Sequence, residues 1–112
     1  MSTNGKRTAA AKQLGILLES PAGYPELFNR AKPKPLALRI QHQIKAALPQ
    51  APTKAISAYL YWWTKQTAYL SAVAASRSIR INLDGSAAGP VTPQHRKHAD
   101  QMLAGRIRKA SA

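Results

Sequence analysis

The sequence predicts a mostly α fold with one small β-hairpin, a compact α+β domain. Three observations carry that expectation. Apolar residues recur at three- and four-residue intervals in several long segments, the period of one helix face. One segment alone, SIRINLDGSAAGPV, changes to alternation, with Ile79, Ile81 and Leu83 set against Arg80 and Asn82 around an Asp84-Gly85 pair that favours a tight hairpin. The 112 residues contain no cysteine, so a chain of single-domain size must be held by its core rather than by disulfides.

Each element follows in order. Residues 1–7 are small, polar and basic and read as a disordered tail. One domain is expected over 8–109, with 110–112 as a short C-terminal tail. A first helix is predicted over 8–19, with Leu14, Leu17 and Leu18 on one side. SPAGYP is a turn-rich break, and YPELF is a short helical turn whose Leu27 and Phe28 plug the core. In NRAKPKP, Lys32 and Lys34 are held extended by the prolines that follow them. A second helix is predicted over 36–48, with Ile40, Ile44, Ala47 and Leu48 inward, stopped by Pro49 and Pro52. Thr53 then reads as the N-cap of an aromatic helix. After the hairpin, Thr92 caps a last helix with Pro93 at its first position, and Ala99, Met102, Leu103 and Ile107 face inward.

The aromatic helix raises the functional question. Five of the seven aromatic residues fall within YLYWWTKQTAY. Taking 53–70 as one helix at 100° per residue, Ile56, Tyr59, Leu60, Trp63, Thr67 and Leu70 share a core-facing stripe. The other side carries Lys54, Ala58, Tyr61 and Lys65 in one row, flanked by Trp62 and Tyr69, with no acid. Lysines interleaved with rings suit a nucleic acid, because ammoniums pair with phosphates while rings stack on bases. The helix start at Thr53-Lys54 adds free backbone N–H groups, a seat for phosphate.

Charge points the same way. Seventeen Lys and Arg face four acids, a net charge of +13, spread from Lys6 to Lys109. Neutralising a polyanion relieves that repulsion, and nucleic acid is the favoured partner. No apolar run approaches a membrane span, and a cytoplasmic protein with no small-molecule substrate and no cofactor is expected. His95 and His98 lie one turn apart without cysteine or ligand-spaced carboxylates beyond Asp100, which does not make a metal site. No P-loop, GxSxG or HExxH is present, so an enzyme is not expected.

PLAL near Pro35, TKQTAYL, RINLDGSAAGPV and TPQHRKHADQML together resemble the ProQ/FinO family of bacterial RNA chaperones, in order and spacing, over roughly residues 24–103. The resemblance implies a compact helical domain with a small hairpin. It implies RNA partners: small RNAs and messenger 3′ ends, gripped where a terminator stem meets its single-stranded 3′ tail. Tyr69, within TAYL, and Arg80, within RINLDG, match residues that form the family's 3′-end pocket. Lys34 matches the basic residue before the PL motif, and Thr53-Lys54 the polar start of the aromatic helix. Where relatives often carry arginines, this chain has Ser57, Tyr61 and Ala68; Lys54 and Lys65 are expected to compensate.

The expected function is therefore an RNA-binding protein, a monomer, that binds terminator hairpins and affects small-RNA stability and RNA–RNA pairing. The expected contacts are Tyr69 and Arg80 at the tail and Lys34, Thr53, Lys54, Tyr61 and Lys65 along the face. Two alternatives remain open. Residues 40–63 read as helix, turn, helix and could enter a DNA major groove, and a basic protein could also be a permanent part of a ribonucleoprotein.

Overall fold

The computed structural model describes residues 8–111; the tail expected over 1–7 and Ala112 lie outside them. Among the described residues the order is α1 (Ala9–Glu19), α2 (Ile40–Ala47), α3 (Thr53–Trp63), α4 (Thr67–Ala74), β1 (Ile79–Ile81), β2 (Ala87–Pro90) and α5 (Pro93–Ser111). The strands form a two-stranded antiparallel sheet. This is the α-rich class with one hairpin that the apolar periods predict.

α1 is capped as a helix should be, with the Thr8 hydroxyl accepting the Ala11 N–H at 3.2 Å. It buries Leu14 and Leu18, but Leu17 stays 42% exposed, so the inward face is narrower than expected. The chain reverses after Ser20, and Tyr24 N–H donates to the Leu18 carbonyl at 2.7 Å. Gly23 permits this return: a Cβ there would lie 2.0 Å from the Leu17 carbonyl oxygen. Leu27 and Phe28 then enter the core as expected.

The centre of the core is aromatic. Phe28 meets Trp63 edge-on at 5.3 Å between ring centroids, and Tyr59 stacks on Trp63 at 5.8 Å. Tyr59 and Trp63 are almost wholly buried, as the helical stripe predicts. The Tyr59 hydroxyl donates to Glu19 at 2.8 Å, and Arg30 Nε donates to the same carboxylate at 2.6 Å. One acid thus joins the end of α1, the following connector and α3.

Three expectations change at the element boundaries. α2 starts at Ile40 rather than at residue 36, because the preceding backbone pairs with the hairpin instead. Leu36 forms a parallel bridge with Ile81, in which Ile81 N–H donates to Pro35 and Ala37 N–H donates to Ile81. Thr53 is the first helical residue and not a side-chain cap; Pro52 holds the cap position. The aromatic helix is also two helices. Thr64 Oγ1 donates to the Leu60 carbonyl at 2.8 Å and Gln66 Nε2 to the Trp62 carbonyl at 2.9 Å, closing the last turn of α3 from the side chains. Gln66 then adopts an extended backbone and restarts the helix.

The break changes the phase of everything after it. Thr67, expected in the core, is exposed, and Tyr69 is buried at 5% exposure. Arg106 of α5 holds the corner, donating to Thr67 Oγ1 at 2.9 Å and to the Lys65 carbonyl. α5 packs on α4 and buries Ala99, with Met102 and Leu103 half-buried, while Ile107 is 67% exposed. α5 also runs through Ser111, so the basic end expected partly as a tail is helical that far. Ala47, expected inward on α2, is exposed.

The hairpin turn is built by its polar residues. Asp84 accepts from the Ser86 N–H at 2.9 Å and hydroxyl at 2.6 Å, and Gly85 takes a φ of 91°. Gly23→Ala should destabilise the fold by at least about 3 kcal/mol, because the added methyl meets backbone that cannot rotate away; denaturant unfolding measures it.

Candidate nucleic-acid interface

The connector and the N-terminus of α2, the outer edge of α3, the start of α4 and β1 enclose an open groove of about 370 Å³. Its floor is the backbone of one residue, Leu36. Leu36 N–H donates to the Tyr69 hydroxyl at 3.0 Å, and Arg80 donates to the Leu36 carbonyl at 2.8 Å. The bridge to Ile81 uses the opposite ends of the same two peptide groups, the Pro35 carbonyl and the Ala37 N–H, so the Leu36 N–H and carbonyl point away from Ile81. Arg80 is aimed by a register irregularity between itself and Ile81, a device that redirects strand side chains. Its other terminal nitrogen lies 2.9 Å from His95 Nδ1. A guanidinium only donates, so in this contact Nδ1 is the acceptor.

Burial pushes the Tyr69 hydroxyl above its ordinary pKa, with the Leu36 hydrogen bond and the Arg80 charge pulling it partly back. The phenol stays protonated, and both neighbours are donors. Its own proton is therefore not spent on either of them. No Asp or Glu lines the groove. Tyr61, 62% exposed, and Leu38, 63% exposed, form its mouth. The Lys65 ammonium lies 5.1 Å from the centre of the Tyr61 ring.

A family model described as the ProQ/FINO family matches residues 10–112. The chain belongs to the ProQ/FinO family. Among solved structures it is similar to the crystal structure of a FinO-like RNA chaperone from Neisseria meningitidis, at 27% identity and a TM-score of 0.73, over 91% of this chain and 80% of that one. It also resembles the solution structure of a ProQ homolog from Legionella pneumophila, at 21% identity and a TM-score of 0.67, over 89% and 84% of the two chains. No curated protein matches it.

In this ProQ/FinO domain the expected residues divide into groups. Tyr69, Arg80 and Tyr61 are brought together around the groove. Lys65 stands beside them, on the far side of the Tyr61 ring. Thr53 and Lys54 are exposed at the start of α3, one turn before Ser57, which lines the groove. Lys34 is elsewhere: it lines a separate hollow beside the hairpin turn with Tyr24, Glu26 and Asp84. Trp62, expected to flank the basic row, is half-buried, with the Arg30 guanidinium 5.1 Å from its ring centre. Tyr69, placed beside the same row by a continuous helix, lies instead beneath it.

Two residues at the site, Arg39 in the groove and His95 behind Arg80, are missed by the sequence. Arg39 lines the groove in a left-handed conformation, φ 62° and ψ 29°, which costs a non-glycine residue roughly 1–2 kcal/mol. Nothing in PLALRI marks that arginine off from its neighbours. His95 was read as an ordinary helix residue; the Thr92-Pro93 start puts it in the first turn of α5, but only the fold supplies Arg80 as its partner.

Tyr69→Phe keeps the ring and strands the buried Leu36 N–H. It should lower stability by about 1–3 kcal/mol, read as a drop in denaturation midpoint without a change in helix content.

Proposed function

We propose that this ProQ/FinO domain is an RNA chaperone that binds structured RNAs at a terminator stem and its single-stranded 3′ tail. It would thereby protect small RNAs and messenger 3′ ends and promote their pairing. The observation that carries this reading is the convergence of a protonated tyrosine and an arginine on the fixed Leu36 backbone, at the floor of an acid-free groove. A terminal ribose offers two hydroxyls and its phosphate offers anionic oxygens. The Tyr69 proton and the remaining Arg80 donors complement both.

The surrounding residues extend that match. Tyr61 and Leu38 at the mouth give an exposed ring and an apolar edge against which the last base can stack. Lys65, with Thr53 and Lys54 at the helix start, takes phosphates of the tail and the stem, whose A-form shape hides base edges and leaves the backbone to be read. Lys34 is the outlying contact, and two carboxylates in its hollow weaken its attraction for phosphate. Family membership supports RNA over the helix-turn-helix alternative. So does the burial of Ala55, Ile56, Tyr59, Leu60 and Trp63, which commits one face of α3 to the core.

The test is a titration at one stated salt concentration with a tailed terminator hairpin, beside the same hairpin carrying a blocked 3′ hydroxyl. A large loss on blocking is expected; equal binding would remove the 3′-end reading. Arg80→Ala should weaken binding of the free-ended hairpin by about 1–3 kcal/mol, provided circular dichroism shows the fold intact. Lys65→Ala should lower affinity similarly across RNAs and flatten the slope of log affinity against log salt by about one unit.

A further inference from the structure

A second cavity, of about 210 Å³, lies behind Arg80, between the α3–α4 corner, β1 and α5. Its polar wall is Lys65, Arg80, His95 and His98, and its floor is apolar, including Leu70 and Met102. None of the four acids of the chain lines it. Thr64, Tyr69 and Arg80 line both this cavity and the groove, so the two compartments meet at the Tyr69–Arg80 pair.

We propose that this cavity is a second phosphate seat, holding a phosphodiester of the RNA tail while the terminal nucleotide occupies the groove. The proposal rests on the 3′-end reading above and extends it to residues that reading leaves unused. Arg80 is the hinge of the argument. Its guanidinium carries five N–H donors; one terminal nitrogen bonds the Leu36 carbonyl on the groove side and the other faces His95 on the cavity side. Its remaining donors sit on a group whose position is fixed from both ends. A tail that passes this arginine meets donors in each compartment.

The other walls agree in chemistry. With Nδ1 taken by Arg80, His95 has its Nε2 left for a ligand. His98 stands one helical turn along the same helix, and Lys65 brings an ammonium from the opposite side. Lys65 also couples the compartments, since the Tyr61 ring beneath its charge lines the groove. A phosphodiester suits this wall better than a base does. The donors are cationic or N–H groups, and the wall offers no carboxylate to receive an exocyclic amine. The cavity's continuity with the groove selects a phosphate of the bound tail rather than a free anion.

The test replaces single tail linkages with neutral methylphosphonates, one at a time over the last three, and titrates wild type and His98→Ala. His98 is exposed on α5, and His98→Gln gives a second variant of the same kind. One linkage should cost wild type roughly tenfold in affinity, the scale of a hydrogen bond to a charged group. That cost should shrink several-fold in both variants, as expected for groups in contact. A cost that is the same in variant and wild type, or absent at every linkage, would overturn the proposal. A blocked 3′ hydroxyl, titrated in parallel, must weaken the variants as much as wild type. If blocking changes nothing in any of the proteins, the 3′-end reading fails, while the linkage scan still decides whether the cavity holds a phosphate.

Discussion

The backbone of Leu36 is the junction on which the rest depends. Its neighbours pair with Ile81, which fixes the connector against the hairpin. Its own N–H and carbonyl are held by Tyr69 from α4 and Arg80 from β1. Three separate stretches of chain, the connector, α4 and β1, are thus joined at one residue that is 2% exposed. A buried peptide must be paired on both sides, and here the pairing is supplied by two side chains that also form the groove floor. The hydrogen bonds that hold the chain together here are the ones that shape the groove floor.

The distribution of acids explains how a chain of such positive charge keeps that floor attractive to anions. Glu19 is engaged by Arg30 and the Tyr59 hydroxyl at the core edge. Asp84 is engaged by Ser86 in the hairpin turn, and those hydrogen bonds hold its carboxyl below the usual range. Neither acid lines the groove or the cavity behind it. The cations there have other partners: Arg80 bonds a carbonyl and an imidazole, and Lys65 lies over a ring. These contacts position charge without cancelling it.

Much of this was legible before the structure. Tyr59 and Trp63 fall in the core because a helix of fixed pitch has only one face to bury, and the hairpin follows from alternation around Asp84-Gly85. The corner at residues 64–66 was not legible. TKQT has no proline or glycine, and the break comes from Thr64 and Gln66 bonding back to α3 while Arg106, forty residues on, clamps the outside. That corner decides whether Tyr69 flanks the basic row or lies beneath it. The late start of α2 has the same origin, since helix propensity in residues 36–39 yields to pairing with a strand distant in sequence. The resemblance to a known family names Tyr69 and Arg80 together, but only the fold shows that both bond the Leu36 backbone, or brings His95 to Arg80.

The most direct measurement is amide NMR of the protein titrated with a tailed hairpin bearing a free 3′ hydroxyl. The largest shifts should fall on Leu36 to Gln41, on Ser57 to Thr64 and around Tyr69 and Arg80, with the Leu36 amide changing as its tyrosine partner takes up the tail. Shifts spread evenly over the basic surface, or centred on the hollow of Lys34 and Asp84, would contradict a ligand site built on the Leu36 peptide.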